Sequence, residues 1–259
     1  MYTYKDLPDL SKFDKFEHNK WEDVCNHVFI RYINKGNIED YGNDIVYDTM
    51  MDLAVVVSVQ ECHGYETYSH LVTNADIQKW HTNADEVFDK AKENMECDRR
   101  KRVLSLSESL MQFNPYYPIA VLPPVPYVMV TGSNDVQPGV IYERDEDTEC
   151  ENVIVVTSSK ESFGASYAFI PSTLSEIYER FKYDNFYMIP MSIHRMMCVR
   201  QSYLTKKGTK PTTHVEDELL DLIYRFNDSS KTDYKSVLSY RIYLFSGDDG
   251  GKLISIKQY

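Results

Sequence analysis

Four small groups of residues have types that could do chemistry. Cys62, His63 and His70 flank one turn, with His81 nearby, and soft sulfur and imidazole ligands suit zinc. Their spacing matches no established zinc pattern. Ser192 and His194 sit two apart after Pro190, so a strand would put them on one face. Acyl-transfer chemistry needs a hydroxyl against an imidazole, plus an orienting group and an oxyanion site, and neither addition is visible. Asp44, Asp48 and Asp52 recur every fourth residue, so a helix would align three carboxylates. A nuclease-like metal site built on them also wants a lysine on the following strand, and Val55–Val59 supplies none. Asp248 and Asp249 lie in a loop too short to supply the six or more oxygens that calcium takes. None of the phosphate-cradling glycine loops, nucleophile elbows or paired-histidine metalloprotease motifs occurs. No metal and no cofactor is expected.

Charge carries more information than these groups. Residues 1–150 hold 27 Asp/Glu and 14 Lys/Arg, net −13, whereas residues 151–259 hold 13 and 14, net +1. An acidic chain lacks the positive footprint that neutralises phosphates, which argues against direct nucleic-acid binding. Asp98-Arg99-Arg100-Lys101-Arg102 is the one basic run, and helix-end charge accounts for it. The densest acidic segment is Glu143, Asp145, Glu146, Asp147, Glu149 and Glu151, interrupted only by Arg144 among charged residues. A solvated loop is the plain reading, and an acidic contact site for a basic protein surface is the sharper one. The 21 tyrosines fit either half-buried sheet positions or a protein-binding face.

The elements that would position these residues are legible from periodicity. Asn19 and Glu22 have capping-box spacing. Trp21, Val24, Cys25, Val28, Phe29 and Tyr32 then recur at helical spacing up to Gly36, so residues 1–36 are expected to form an N-terminal helical segment. Ala54–Val59 predicts a buried strand, Gln60–Glu66 a turn and Thr67–Thr73 the returning strand. A short helical turn runs from Asn74 to Trp80. Asn83, with Glu86, then caps a helix whose buried face is Val87, Phe88, Ala91 and Met95. Ser105 and Glu108 have the same capping spacing. Five prolines between Pro115 and Pro126 make an extended connector and the best internal boundary. Tyr127–Thr131 and Val140–Glu143 predict a hairpin.

The clearest stretch is Val153–Val199. It predicts a strand at Val153–Thr157, a turn through Gly164 and a second strand at Ser166–Ile170. A helix opened by Pro171 follows, and then a strand at Phe186–Ile189. A helix capped by Thr213 with Glu216 and a closing hairpin, Ser239–Phe245 with Leu253–Ile256, complete the chain. The expected fold class is α+β. It comprises a mixed, largely antiparallel sheet with helices packed on it, two strand–strand–helix units and a C-terminal hairpin, within a single domain spanning 1–259.

Several blocks resemble a family of uncharacterised bacterial proteins. Asp52–Val57 (DLAVVV) is similar to its D-L-A-V-V-Y, and Leu71–Trp80 (LVTNADIQKW) to its I-T-N-x-x-L-x-x-W. Val153–Phe181 holds its G-A-A-type strand, and Phe186–Val199 (FYMIPMSIHRMMCV) resembles its Y-I-L-P-S-S-I-H-E. With the Tyr240–Ile256 hairpin the similarity covers roughly residues 20–259. That family is widespread in clostridia and gut Firmicutes and often lies in mobile elements. The resemblance implies a cytosolic bacterial or phage-like setting and an α+β fold, and no reaction. Three departures stand out: the chain lacks the family's N-terminal segment, residues 127–150 look inserted, and Arg195 replaces the family's Glu.

No apolar run approaches the ~20 residues of a membrane span, and the opening MYTYKDLPDL lacks signal-peptide features. Five scattered cysteines without CxxC spacing fit reduced thiols. The expected localisation is cytoplasmic. The expected function is a non-enzymatic protein-binding or inhibitory accessory protein, an anti-defence protein of a phage or mobile element. Its acidic surface would meet a basic nucleic-acid-binding partner. The alternative is a hydrolytic enzyme using Ser192/His194 or Cys62/His63/His70.

Overall fold

A computed structural model describes residues 20–63, 66–106, 108–109, 151–159, 162–205, 213–227, 234–247 and 250–258. The expected Asn19 cap, the proline connector, the 127–143 hairpin and the Asp248–Asp249 tip lie outside these residues. The chain forms two compact units, Met1–Arg99 and Arg100–Tyr259, which divide inside the basic run. All ladder pairs among the described residues are antiparallel, so the fold is α+β with largely antiparallel sheets.

The first unit is built on one long strand. A single helical turn, α1 (Trp21–Val24), and a 3-10 turn (Cys25–His27) lead into β1 (Val28–Asn34). Here the expected helix through Tyr32 is corrected. VFIRYIN is apolar at five of seven positions without alternation, and its β-branched and aromatic residues gain a full ladder by pairing. The partner is β3 (Leu53–His63), with Val28 opposite Val59 and Asn34 opposite Leu53. The far edge of β3 takes β2 (Tyr47–Met50) and then β4 (Glu66–Leu71). Leu53–Val59 is buried throughout, which is why the sequence reads as an unbroken apolar run there. Burial pushes the Tyr32 phenol up to about 12 and keeps it neutral.

The helices α2 (Asn74–Trp80) and α3 (Ala84–Glu96) close this unit. Thr73 and Asp76 form a full capping box at α2, and Asn83 accepts the Glu86 N–H at 2.9 Å at α3. Helix α3 buries Val87, Ala91 and Met95 and packs on β1. Asn94 fixes the approach, because its amide donates to the carbonyls of Cys25 at 2.7 Å and Val28 at 2.8 Å.

The second unit holds six strands: β5 (Lys101–Ser105), β6 (Val153–Ser158), β7 (Phe186–Ser192), β8 (Arg195–Arg200), β9 (Arg241–Ser246) and β10 (Lys252–Gln258). Their spatial order is β10-β9-β7-β8-β6-β5. The helices are α4 (Pro171–Arg180), α5 (Gln201–Thr205) and α6 (Thr213–Asn227). One face joins Val153, Tyr187, Ile189, Met197, Val199 and Ile242 to Leu204 of α5 and Leu219, Leu220 and Ile223 of α6. On the opposite face Phe169 meets Tyr243, and Phe181 meets Phe186, below α4. Both faces are therefore covered, and every residue of β6 is buried. Burial also raises the Cys198 thiol far above its ordinary range, so this cysteine is inert. Ser105 and Glu108 reciprocate as expected, and the two Ser105 donors hold the Glu108 carboxyl below its ordinary value.

The expected second strand at Ser166–Ile170 is instead part of a buried 3-10 turn, Gly164–Phe169. Topology explains the change. One edge of β6 is taken by β5 and the other by β8, so no edge remains for a returning strand. The chain turns onto the sheet face, and Pro171 at the first position of α4 starts the helix.

Helix α4 ends in a Schellman motif. Lys182 N–H donates to the Glu179 carbonyl and Tyr183 N–H to that of Tyr178, at 2.9 and 2.8 Å, and the Tyr183 ring packs on Tyr178. Lys182 has φ +56°, a left-handed conformation that favours glycine. Lys182→Gly should therefore raise stability by about 0.5–1 kcal/mol. A urea melt that shows a loss would mean that the lysine side chain has a stabilising contact of its own.

Candidate functional site

The expected zinc residues lie along the β3–β4 ladder and at the end of α2. Val59 lies opposite His70, and Cys62 opposite Thr67. The side chains of Cys62 and His63 lie outside the described residues. His81 is the left-handed cap of α2. His70 instead approaches the Asp76 carboxylate, at 3.9 Å. Among the described residues no cluster of three His, Cys, Asp or Glu side chains forms a metal site. Cys25, Cys97 and Cys198 are free thiols.

The three spaced aspartates share no helix, because the chain there is turn, strand and turn. Asp44 accepts from Asn74 Nδ2 and Ala75 N–H at the start of α2. Asp48 lies in β2 and accepts the Thr49 N–H at 2.6 Å, while Asp52 sits in the turn to β3.

Ser192 and His194 do come together, in the β7–β8 turn, but as a structural lock. The Ser192 hydroxyl accepts the backbone N–H of His194 at 3.1 Å, and its contact is not with the ring. His194 Nδ1 accepts the Phe163 N–H at 3.1 Å, which places the proton of the neutral ring on Nε2. A general base needs a lone pair facing its proton donor, and this one is occupied by backbone. The His194 carbonyl accepts the Thr157 hydroxyl at 3.1 Å, and the Ile193 carbonyl accepts the Ala165 N–H at 3.3 Å. Across the same corner Ser158 Oγ both donates to the Ser162 carbonyl and accepts the Ser162 N–H, each at 3.0 Å. Together these bonds hold Phe163 at φ +51° and seat Gly164 against β6.

The arrangement makes a direct expectation. His194→Ala leaves the Phe163 N–H without its acceptor and should cost about 1–3 kcal/mol. His194→Asn keeps an acceptor near the Nδ1 position and should recover most of that. A His194→Ala protein that melts at the wild-type midpoint would show that the imidazole is dispensable to the turn.

Of the acidic segment, Glu143, Asp145, Glu146, Asp147 and Glu149 lie outside the described residues. Glu151 is held in place: Arg180 Nε donates to it at 2.6 Å, and Arg180 Nη1 reaches the Val103 carbonyl at 2.7 Å. Its carboxylate thus ties the entry to β6 onto α4 and β5. A further set of acids lies on α3, where Asp85, Glu86, Asp89, Glu93 and Glu96 are all exposed. Lys90 meets Glu93 at 2.6 Å and Lys92 meets Asp89 at 3.2 Å, and both pairs are solvent-facing. The sequence reading missed this helix face because its charges are spread over three turns and not run together.

No helix among the described residues is long and apolar enough to cross a membrane. No curated protein and no solved structure matches the chain. A family model matches residues 1–247, and the chain belongs to that family, DUF5688, a family of unknown function.

Proposed function

We propose that this chain is a cytoplasmic, non-enzymatic protein-binding protein whose acidic surface occupies a basic surface on a partner. The observation that carries this reading is how charge divides between the two compact units. Residues 1–99 hold 20 Asp/Glu and 10 Lys/Arg, whereas residues 100–259 hold 20 and 18. A surplus of exposed carboxylates offers a partner what a nucleic-acid backbone offers, a dense field of negative charge. The partner class that fits is a basic, nucleic-acid-binding protein. An accessory or anti-defence protein of a phage or mobile element is the setting in which such occupation is useful. The use of the Ser192 hydroxyl and His194 Nδ1 in backbone bonds favours binding over hydrolysis.

The test is capture of partners from host lysate at low salt and again at about 0.5 M, where the Debye length falls to roughly 4 Å. One defined basic protein, lost as salt rises, is the expected result. Two variants then locate the contact. One carries Asp85→Asn, Asp89→Asn, Glu93→Gln and Glu96→Gln. The other neutralises Glu143, Asp145, Glu146, Asp147 and Glu149 and leaves Glu151 in its bond to Arg180. At least one variant should weaken capture about tenfold or more. Capture indifferent to salt and to both variants would overturn the proposal.

A further inference from the structure

We draw no further inference here: the strongest candidate, the N-terminus of α4 where the Lys101 ammonium lies 3.3 Å from the Ser172 hydroxyl, carries nothing because the one added polar group beside it, the buried Thr173 hydroxyl without a partner among the described residues, lies in the stripe shared with Ile177 and Phe181, shut off from any ligand.

Discussion

Gly164→Ala should destabilise the second unit by about 3 kcal/mol or more, enough to leave a marginally stable unit largely unfolded. A Cβ at this position would stand 2.4 Å from Ser158 N, 2.5 Å from His194 O and 2.6 Å from Thr157 C. All three are backbone atoms. Ser158 and Thr157 belong to β6, where they pair with Lys101 and Arg102 of β5, and the His194 carbonyl is held by the Thr157 hydroxyl. None can retreat without breaking the ladder. Gly36→Ala is the control, since its Cβ would meet only the side-chain oxygen of Asn34, at 3.1 Å. Urea titration followed by circular dichroism reads both. A Gly164→Ala protein with the wild-type midpoint would mean that the 3-10 turn does not press on β6 as described.

Phe186→Ala should lose about 3–5 kcal/mol. Phe186 is 0% exposed and lies opposite Phe245 in the β7–β9 ladder. Its ring stacks on Phe245 with centroids 4.9 Å apart and meets Phe181 edge-on at 5.6 Å. Truncation would open a cavity between the sheet and α4 that neighbouring rings, each already engaged, are poorly placed to fill. Tyr183→Ala makes the contrast, because that ring is 67% exposed and should cost less than about 1 kcal/mol. Similar midpoint shifts for the two variants would contradict the burial described for this face.

Much of the fold was legible because local and tertiary demands agree. Asn83 caps α3, Val87, Ala91 and Met95 face inward, and Pro171 opens α4. Where they disagree, the sequence misleads. Val28–Asn34 carries apolar residues at helical spacing, and the presence of β3 beside it selects the strand. Ser166–Ile170 has the composition of a strand, yet the edges of β6 are decided by β5 and β8, which lie far away in sequence. The chemistry-bearing groups are hard to place from spacing for a related reason. Whether Cys62 and His70 share a face depends on the ladder register, which no residue spacing reveals. Ser192 and His194 were found by spacing alone, and their backbone partners, Phe163 and Thr157, come from a different part of the chain. The charge asymmetry shifts with the boundary, from −13 and +1 divided at residue 150 to −10 and −2 divided at residue 99, because residues 143–149 fall in the second unit.

The pairing of β5 with β6 has a consequence for how this protein can change over time. Ser105 stands opposite Ile154, so the chain that leaves the sheet at β5 returns to it one strand away. Closing so long an excursion, roughly tenfold longer than a hairpin loop, adds only about 2 kcal/mol, because the entropy grows with the logarithm of length. The sheet's order is indifferent to what fills the gap. Related chains can therefore lengthen, shorten or rewrite residues 110–150 while the six-stranded sheet stays the same.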